Sequence, residues 1–283
     1  MQWYFRTTLM EEYNNMDNQF IRKCERAHYL MQLSSYFSEL TDLPGVSFAY
    51  TDKLTDVWYN QAYNIMWNNK DVMELIGLSE QYFKKRNREI CFYISDATEP
   101  FNLGTKLIDN GFGVFEEEAW MFFNWDKRSL IKAKQDVMIQ EITSESIELF
   151  KKVYRTTLPG PEVEEYIKCV VDGFLYVPPL VTVKYYIGYI ESKPVGMLSL
   201  LVFEQYAGLY AIATDENYQR RGVCTTLLDT ALTYCENQEI DTVFLQTVKD
   251  GESLKVFEKL GFKTEFLRIG YAKQELLDTM EHG

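Results

Sequence analysis

Residues 219–225, QRRGVCT, carry the clearest indication of chemistry, because two arginines and a glycine come directly before a helical pattern. The apolar residues of that pattern lie on one helical face: Leu227, Leu228, Ala231 and Leu232. The first N–H groups of a helix lack intrahelical partners and lie at the positive end of its dipole, so they bind anions. Gly222 permits close backbone approach, and Arg220 and Arg221 add positive charge. The stretch therefore predicts a site for a phosphate ester or a pyrophosphate.

The elements around this stretch alternate between strands and helices. Before it, VTVKYYIGYIE and VGMLSLLVF predict an antiparallel hairpin, and GLYAIAT predicts a strand that runs into the loop. After the helix come the strand DTVFLQTV, a helix over 251–260 and the strand FKTEFLRIGYA. This order predicts an α/β (α+β) unit with a mixed central sheet flanked by helices.

The first half repeats this alternation. We expect one or two helices between residue 7 and about residue 40, strands at VSFAYTD and VWYNQAYNI, and a helix over 71–86. The strand EICFYIS, a short helix that reaches Asn110 and the strand EEEAWMFFNW follow. Residues 127–134 are charged and have no strand pattern, so they are the predicted linker. We predict two domains, 1–130 and 135–283.

A weak internal repeat connects the two halves. Each half has a buried strand, a helix that ends in a glycine and phenylalanine pair, and a final strand. The pairs are Gly111-Phe112 and Gly261-Phe262. Their common context predicts two copies of one fold, although helix, glycine and strand also recur by chance in α/β proteins.

Composition and charge restrict the classes of partner. Of 283 residues, 46% are hydrophobic and 15% aromatic, which is enough to fill a substantial core. The formal net charge of −13 at pH 7 disfavours binding to nucleic acid or to anionic membranes. No long apolar run and no signal-peptide pattern is present, which predicts a soluble cytoplasmic protein.

The cysteines and histidines are too scattered for a metal cluster. No two cysteines have CxxC spacing, and His28 and His282 lie at opposite ends of the chain. The cysteines are Cys24, Cys91, Cys169, Cys224 and Cys235. We expect reduced thiols, no metal and no histidine-based triad.

The C-terminal half resembles the GNAT family of N-acetyltransferases over about residues 137–272. The family's pyrophosphate loop reads Q/R-x-x-G-x-G/A, and QRRGVC stands at that place in the same order of elements. ESKPVGMLSL is similar to the family's turn between its second and third strands, and DGESLKVFEKLGF to its last helix. The resemblance implies a tandem protein of this fold with a degenerate N-terminal half. It also implies acetyl-CoA bound in a splay between the fourth and fifth strands of the C-terminal domain.

The resemblance also implies which residues hold the cofactor. Residues 212–214 should pair with the pantetheine arm like an added strand, and amides of 220–225 should hold the pyrophosphate. The implied cofactor-binding residues are Ile212, Ala213, Thr214, Gln219, Arg220, Arg221, Gly222, Val223, Cys224, Thr225 and Asp250. In the first half, Lys70 and Asp71 open the main helix without a glycine, so we expect one cofactor site per chain.

Three positions depart from the family pattern. Cys224 replaces a glycine or alanine of the loop, and Asp250 stands where asparagine is common near the cofactor. The tyrosine that often protonates the departing thiolate would fall at Phe257, and a phenyl ring cannot donate a proton.

Acetyl transfer to an amine needs a polarised thioester carbonyl and a deprotonated amine. Backbone amides on the fourth strand could polarise the carbonyl, and Glu204, at the end of the third strand, is the candidate base. Tyr210 could face the thioester and protonate the thiolate. The competing interpretations are a solvated glutamate in a hairpin turn and a tyrosine packed in the core.

The sequence thus predicts an acetyl-CoA-dependent N-acetyltransferase that acts on a primary amine of a small molecule or peptide. Phe257 and the uncertain base leave a second hypothesis, a catalytically silent acyl-CoA-binding or interaction protein of the same fold. A tandem transferase that uses aminoacyl-tRNA is a third, disfavoured by the acidic charge. The aromatic residues of the first half either shape a substrate pocket or fill a small core: Trp58, Tyr59, Tyr63 and Trp67.

Overall fold

The computed structural model describes residues 17–281, with side chains through Thr279. The N-terminal half contains α1 (Asn18–Gln32), β1 (Glu39–Leu43), β2 (Val46–Tyr50), β3 (Gln61–Tyr63), α2 (Val72–Lys84), β4 (Cys91–Ser95), α3 (Leu103–Asp109) and β5 (Phe112–Phe123). The C-terminal half contains β6 (Val137–Glu141), α4 (Ile147–Thr157), α5 (Val163–Leu175), β7 (Val181–Ile190), β8 (Lys193–Phe203), β9 (Tyr206–Thr214), α6 (Val223–Asn237), β10 (Thr242–Val248), α7 (Glu252–Lys259), β11 (Phe262–Lys273) and α8 (Gln274–Glu281). Residues 7–16 of the predicted N-terminal helices and His282 lie outside the described residues.

Two local predictions in the first half were wrong. β1 begins inside the stretch predicted to be helical, because the chain leaves α1 at Leu33 and turns through Ser34 at φ +75°. Pro44 and Gly45 then form the tight turn into β2, with Gly45 at φ +95°. In the second predicted strand, Val57–Tyr59 forms a short 3-10 helix and only β3 is extended.

The strands form one mixed, eleven-stranded sheet that runs through both halves. Its order is β1-β2-β3-β4-β11-β5-β10-β9-β8-β7-β6. β3 and β4 are parallel, as are β9 and β10, whereas the other neighbouring strands are antiparallel. The sequence prediction of a mixed sheet flanked by helices in a tandem arrangement is confirmed.

The last strand of each half is exchanged with the other half. β5 follows β4 in the chain but hydrogen-bonds to β10, and β11 follows β10 but hydrogen-bonds to β4. β5 and β11 pair with each other at the centre of the sheet. The predicted boundary near residue 130 therefore separates the chain into two segments, each of which completes the sheet of the other.

The glycine and phenylalanine pairs mark equivalent positions of this exchange. Gly111 and Gly261 follow α3 and α7 with φ of +84° and +90°, which favours glycine, and each leads into an exchanged strand.

In the N-terminal half, β3 and β4 separate after Ala62 and Phe92, but a bridge between Met66 and Glu99 closes the gap.

Helices cover both faces of the sheet. α6 packs on one face through Val223, Leu227 and Leu228, which belong to an apolar cluster with β7, β8 and β10. α1, α4 and α5 pack on the other face around Trp120 and Phe244. α1 therefore lies over strands of the C-terminal half and brings its polar residues to that face. In the part of the chain that the structure describes, no helix is long and apolar enough to cross a membrane.

Candidate functional site

A wedge opens between β9 and β10. The two strands pair only at their starts, and Phe244 opposite Gly208 is the last recorded pair. Beyond it, β10 continues beside β5, while residues 211–214 of β9 become partly exposed. Their backbone edge is therefore available to an extended ligand, as an added strand would use it.

A β-bulge in β9 lies at the mouth of this wedge. Met197 of β8 pairs with Ala213, but Ser199 pairs with Tyr210, so β9 contains one extra residue. Ala211 adopts φ +48°, a left-handed conformation that is unfavourable for a residue with a Cβ. The bulge changes the direction of the local backbone amides, which are the donors needed to polarise a carbonyl oxygen.

The loop that leads into α6 has the geometry of an anion site. Gly222 caps the helix at φ +84° without a side-chain cap, and the first helical bond runs from the Thr226 amide to the Gly222 carbonyl at 3.0 Å. The amides of residues 222–225 consequently have no intrahelical acceptor. Arg220 and Arg221 are exposed beside them. This geometry is compatible with a pyrophosphate, and the assignment of these residues to a cofactor stays a prediction.

Glycine contacts hold this loop against the sheet. Gly188 and Gly196 are cross-strand partners on β7 and β8, and both lie beneath Val223. A Cβ at Gly196 would lie 2.6 Å from the Val223 Cγ1 atom. The start of α6 thus approaches the sheet closely because two side chains are absent.

Lys134 from the linker is a loop neighbour that sequence reasoning missed. Its backbone amide donates to the Thr226 hydroxyl at 3.0 Å, and its side chain lies across Gly222. A Cβ at Gly222 would meet the Lys134 Cγ atom at 2.4 Å. Lys134 therefore adds a cation to the loop.

The three departures from the family pattern have clear positions. Cys224 is partly buried, and burial raises the pKa of its thiol to about 11, so the thiol stays neutral. Asp250 is exposed at φ +63° in the turn after β10. Phe257 is buried and packs edge-on against Phe262, so its ring belongs to the core.

A cavity of about 480 Å³ lies between the two halves, on the face covered by α1, α4 and α5. The C-terminal half contributes Ser199, Tyr210 and Ala211, and the N-terminal half contributes residues that include Trp58 and Glu116. The bulge of β9 therefore borders both the wedge and this cavity. A volume of this size accommodates a small organic molecule.

Tyr210 and His28 contact each other at the cavity wall. The Tyr210 hydroxyl is 3.0 Å from His28 Nδ1, and Gln246 Nε2 lies 3.1 Å from the same nitrogen. Burial, with the charge of Arg268, holds the pKa of His28 well below its ordinary value, so the imidazole is neutral. Burial raises the pKa of Tyr210 well above its ordinary value, so the phenol keeps its proton. Sequence reasoning assigned His28 no role, because its neighbours along the chain carry no motif.

A buried ion pair forms the floor of the cavity. Arg268 of β11 is 2% exposed and donates to Glu118 of β5 at 2.7 Å and to the Tyr29 hydroxyl at 3.0 Å. Near this pair, Glu116 accepts a hydrogen bond from the Tyr93 hydroxyl. Burial, together with the charge of Glu118, raises the pKa of Glu116 to about 7.

The other candidates separate into two groups. Glu204 is exposed in the turn between β8 and β9 and does not line the cavity, so the structure gives its proposed role as the base no geometric support. Trp58 and Tyr59 line the cavity, whereas Tyr63 and Trp67 are buried in the N-terminal core.

Comparison with known proteins gives a family match over part of the chain and a shared fold. Residues 147–262 match the family model described as Acetyltransferase (GNAT) family. A comparison with curated proteins gave no match.

Several solved structures share the architecture over most of the chain. A functionally unknown conserved protein from Staphylococcus epidermidis ATCC 12228 is 14% identical with a TM-score of 0.65, over 84% of this chain and 94% of that one. A GCN5-related N-acetyltransferase from Kribbella flavida is 11% identical with a TM-score of 0.66, over 89% and 94%. A tandem GNAT protein from the clavulanic acid biosynthesis pathway is 10% identical with a TM-score of 0.62, over 80% and 77%. At these identities the likeness establishes the fold.

Proposed function

We propose that the chain transfers an acetyl group from acetyl-CoA to a primary amine, because its residues 147–262 match the model of the GNAT family of acetyltransferases. The observation that carries the proposal is the wedge between β9 and β10, with the bulge at Ala211 on one side and the loop of Gly222 at its end. In this proposal the acceptor is a small molecule or a peptide that enters the cavity between the halves.

The residues present fit acetyl-CoA. The edge of residues 212–214 would pair with the pantetheine arm, and the amides of 222–225 would hold the pyrophosphate, with Arg220 and Arg221 beside it. Lys134 is close enough to Gly222 to join this set. The carboxylate of Asp250 is exposed, so solvent would screen its repulsion of the cofactor phosphates.

The chemistry requires that the amine nitrogen bonds to the acetyl carbon as the carbon–sulfur bond breaks, that the nitrogen loses a proton and that the thiolate gains one. Backbone amides at the Ala211 bulge would stabilise the charge that develops on the carbonyl oxygen. In this proposal His28 Nδ1 accepts the hydrogen bond of the Tyr210 hydroxyl, and the Tyr210 oxygen, which also has a hydrogen bond with Gln32, would accept an N–H of the acceptor. This pair would orient the amine, and the Tyr210 hydroxyl would give its proton to the departing thiolate as it receives one from the attacking nitrogen.

The first test uses two glycines with the same backbone strain. Gly222 and Gly111 both have φ of +84°, but a Cβ at Gly111 meets nothing within 4 Å. Each change to alanine should cost about 1 kcal/mol of folding free energy through backbone strain. We expect Gly222→Ala to bind acetyl-CoA at least about tenfold more weakly, a loss of about 1.4 kcal/mol. Gly111→Ala should bind like the wild type in the same calorimetric titration.

Two results of this titration would contradict the proposal. One is the absence of acetyl-CoA binding to the wild-type protein, and the other is an equal loss in both variants. If acetyl-CoA binds but no amine releases free thiol, the silent acyl-CoA-binding protein replaces the acetyltransferase as the function. The observation that favours this second function is Phe257, which stands at the family's tyrosine position and cannot donate a proton.

A second test addresses Tyr210. Tyr210→Phe removes the hydroxyl that contacts His28 and should lower kcat by about tenfold to hundredfold, while the affinity for acetyl-CoA stays unchanged. Tyr206→Phe is the matched control, because Tyr206 lies on the same strand but does not line the cavity. Equal kcat values for the two variants, measured by thiol release, would exclude a role for the Tyr210 hydroxyl.

A further inference from the structure

The cavity extends well beyond the atoms that acetyl transfer needs. Ser199 and Ala211 at its C-terminal side lie on β8 and β9, whereas Glu116 lies on β5, with β10 between. Three strand spacings separate β8 from β5, which is a distance of roughly 14 Å. A short monoamine at Ala211 would therefore leave the N-terminal side of the cavity without a ligand.

Glu116 is the carboxylate at that far end that forms no ion pair with any residue that the structure describes. Arg268 is already paired with Glu118 at 2.7 Å, and the recorded hydrogen bond of Glu116 comes from the neutral Tyr93 hydroxyl. A carboxylate in a partly buried site with a phenol as its neighbour is stabilised strongly by an ammonium group that replaces water.

Aromatic rings surround the same end of the cavity. Trp58 and Phe115 have ring centroids 4.5 Å apart, and Tyr93 packs edge-on against Phe115 at 5.8 Å. All three rings line the cavity. Aromatic faces attract a cation through their quadrupole, so carboxylate and rings favour the same type of ligand group.

The opposite end of the cavity has an unpaired hydrogen-bonding group. Ser199 is 3% exposed, and its Oγ atom has no hydrogen-bond partner among the described residues. It lies opposite Tyr210 across the β8–β9 ladder, directly before the bulge. A buried hydroxyl without a partner is costly, and a polar ligand group in the cavity would satisfy it.

From these contacts we infer that the acceptor is an elongated amine with a second positively charged group, which binds between Glu116 and the rings of Trp58, Phe115 and Tyr93. The reacting amine lies at the other end, beside Ser199, Tyr210 and Ala211. The placement of the reacting amine in this inference rests on the proposed function. The N-terminal half, whose own wedge is closed by the bridge between Met66 and Glu99, thereby supplies the specificity of the C-terminal half.

The test compares a diamine with a monoamine of the same chain length. Diaminodecane and decylamine are assayed with acetyl-CoA by thiol release, and diaminobutane serves as a diamine too short to reach Glu116. We expect kcat/KM for diaminodecane to exceed that for decylamine and for diaminobutane by at least about tenfold. Glu116→Gln should remove this advantage. Glu117→Gln, the matched control on the opposite face of β5, should keep it, because Glu117 pairs with Lys249.

The results separate this inference from the proposed function. Equal kcat/KM values for diaminodecane and decylamine, or an advantage that persists in Glu116→Gln, would overturn the inference while acetyl transfer stands. If acetyl-CoA does not bind, calorimetric titration with diaminodecane alone still decides: weaker binding to Glu116→Gln than to Glu117→Gln supports the cation site, and equal binding overturns it. Trp58→Leu gives a second variant, which should weaken diaminodecane binding without a change in the affinity for acetyl-CoA.

Discussion

Expressed separately, residues 1–130 and residues 131–283 should each fail to form a stable fold, whereas co-expression of the two should restore one complex that binds acetyl-CoA. The reason is the exchange of the final strands. Both hydrogen-bonding neighbours of β5 belong to the C-terminal segment, and without β5 the strands β10 and β11 lose their common partner.

The packing around the exchanged strands increases the expected effect. Trp120 of β5 is fully buried, and it stacks on Phe244 at 5.2 Å and on Phe266 at 4.9 Å, both from the other segment. Burial of one large aromatic side chain contributes about 2–3 kcal/mol, and a small domain is stable by only about 5–15 kcal/mol. The packing free energy lost with a whole central strand is therefore larger than the free energy of unfolding that either segment could have alone.

Circular dichroism and amide NMR spectra of each segment and of the co-expressed pair provide the measurement. The intact chain cleaved within 131–134 after folding is the control, and its two pieces should stay associated in size-exclusion chromatography. Well-dispersed spectra from both isolated segments would show that each is a self-sufficient domain, and the exchange would then be unnecessary for folding.

The sequence predicted the C-terminal half well because strong local signals decide its elements. The alternation of VTVKYYIGYIE and VGMLSLLVF defines the hairpin, and the glycine of the loop marks the start of α6. The exchange of β5 and β11 has no local signal. The sequence of β5 does not specify β4 or β10 as its partner, and the packing of Trp120 on Phe244 across the halves favours β10.

The sequence indicates candidate site residues only where the site is a backbone feature. Gly222 and residues 212–214 follow a motif along the chain, so their positions could be read from it. His28 and Glu116 reach the cavity from α1 and β5, through a fold that the sequence of the C-terminal half does not encode. The position of Glu204 at the end of a strand makes it a candidate base in the sequence, but a tight turn at the end of β8 exposes its side chain.

The floor of the cavity should also make the stability of the protein depend on pH. Glu25 is buried beside Arg268, and the Ser95 side chain is its hydrogen-bonding neighbour. Burial raises the pKa of Glu25 from 4.5 to about 7, although the charge of Arg268 opposes this. The native state therefore keeps a proton that the unfolded chain loses above about pH 4.5. The stability from this proton is complete at low pH and is lost as pH rises towards 7.

Arg268→Met should cause the largest loss of stability of any single substitution at this floor, about 3–5 kcal/mol near neutral pH. The change leaves Glu118 without its partner at 2.7 Å and removes the positive charge that lowers the pKa of Glu25. Glu25 then holds its proton more firmly in the native state, and Glu118 becomes a partly buried charge without its partner. The destabilisation should consequently be larger at about pH 8 than at about pH 5.5, because the unfolded chain releases the Glu25 proton at high pH.

Urea unfolding at the two pH values measures the destabilisation by Arg268→Met. Two controls show whether the loss comes from the charge of Arg268. Lys249→Met breaks the ion pair with Glu117 on the opposite face of β5, where the two side chains are 27% and 35% exposed, and it should cost less than about 1 kcal/mol. Arg268→Met combined with Glu118→Gln removes both charges and should recover part of the loss. A loss that is equal at the two pH values, or no recovery in the double variant, would mean that Arg268 stabilises the sheet through packing on Tyr93 and Trp120 instead of through its charge.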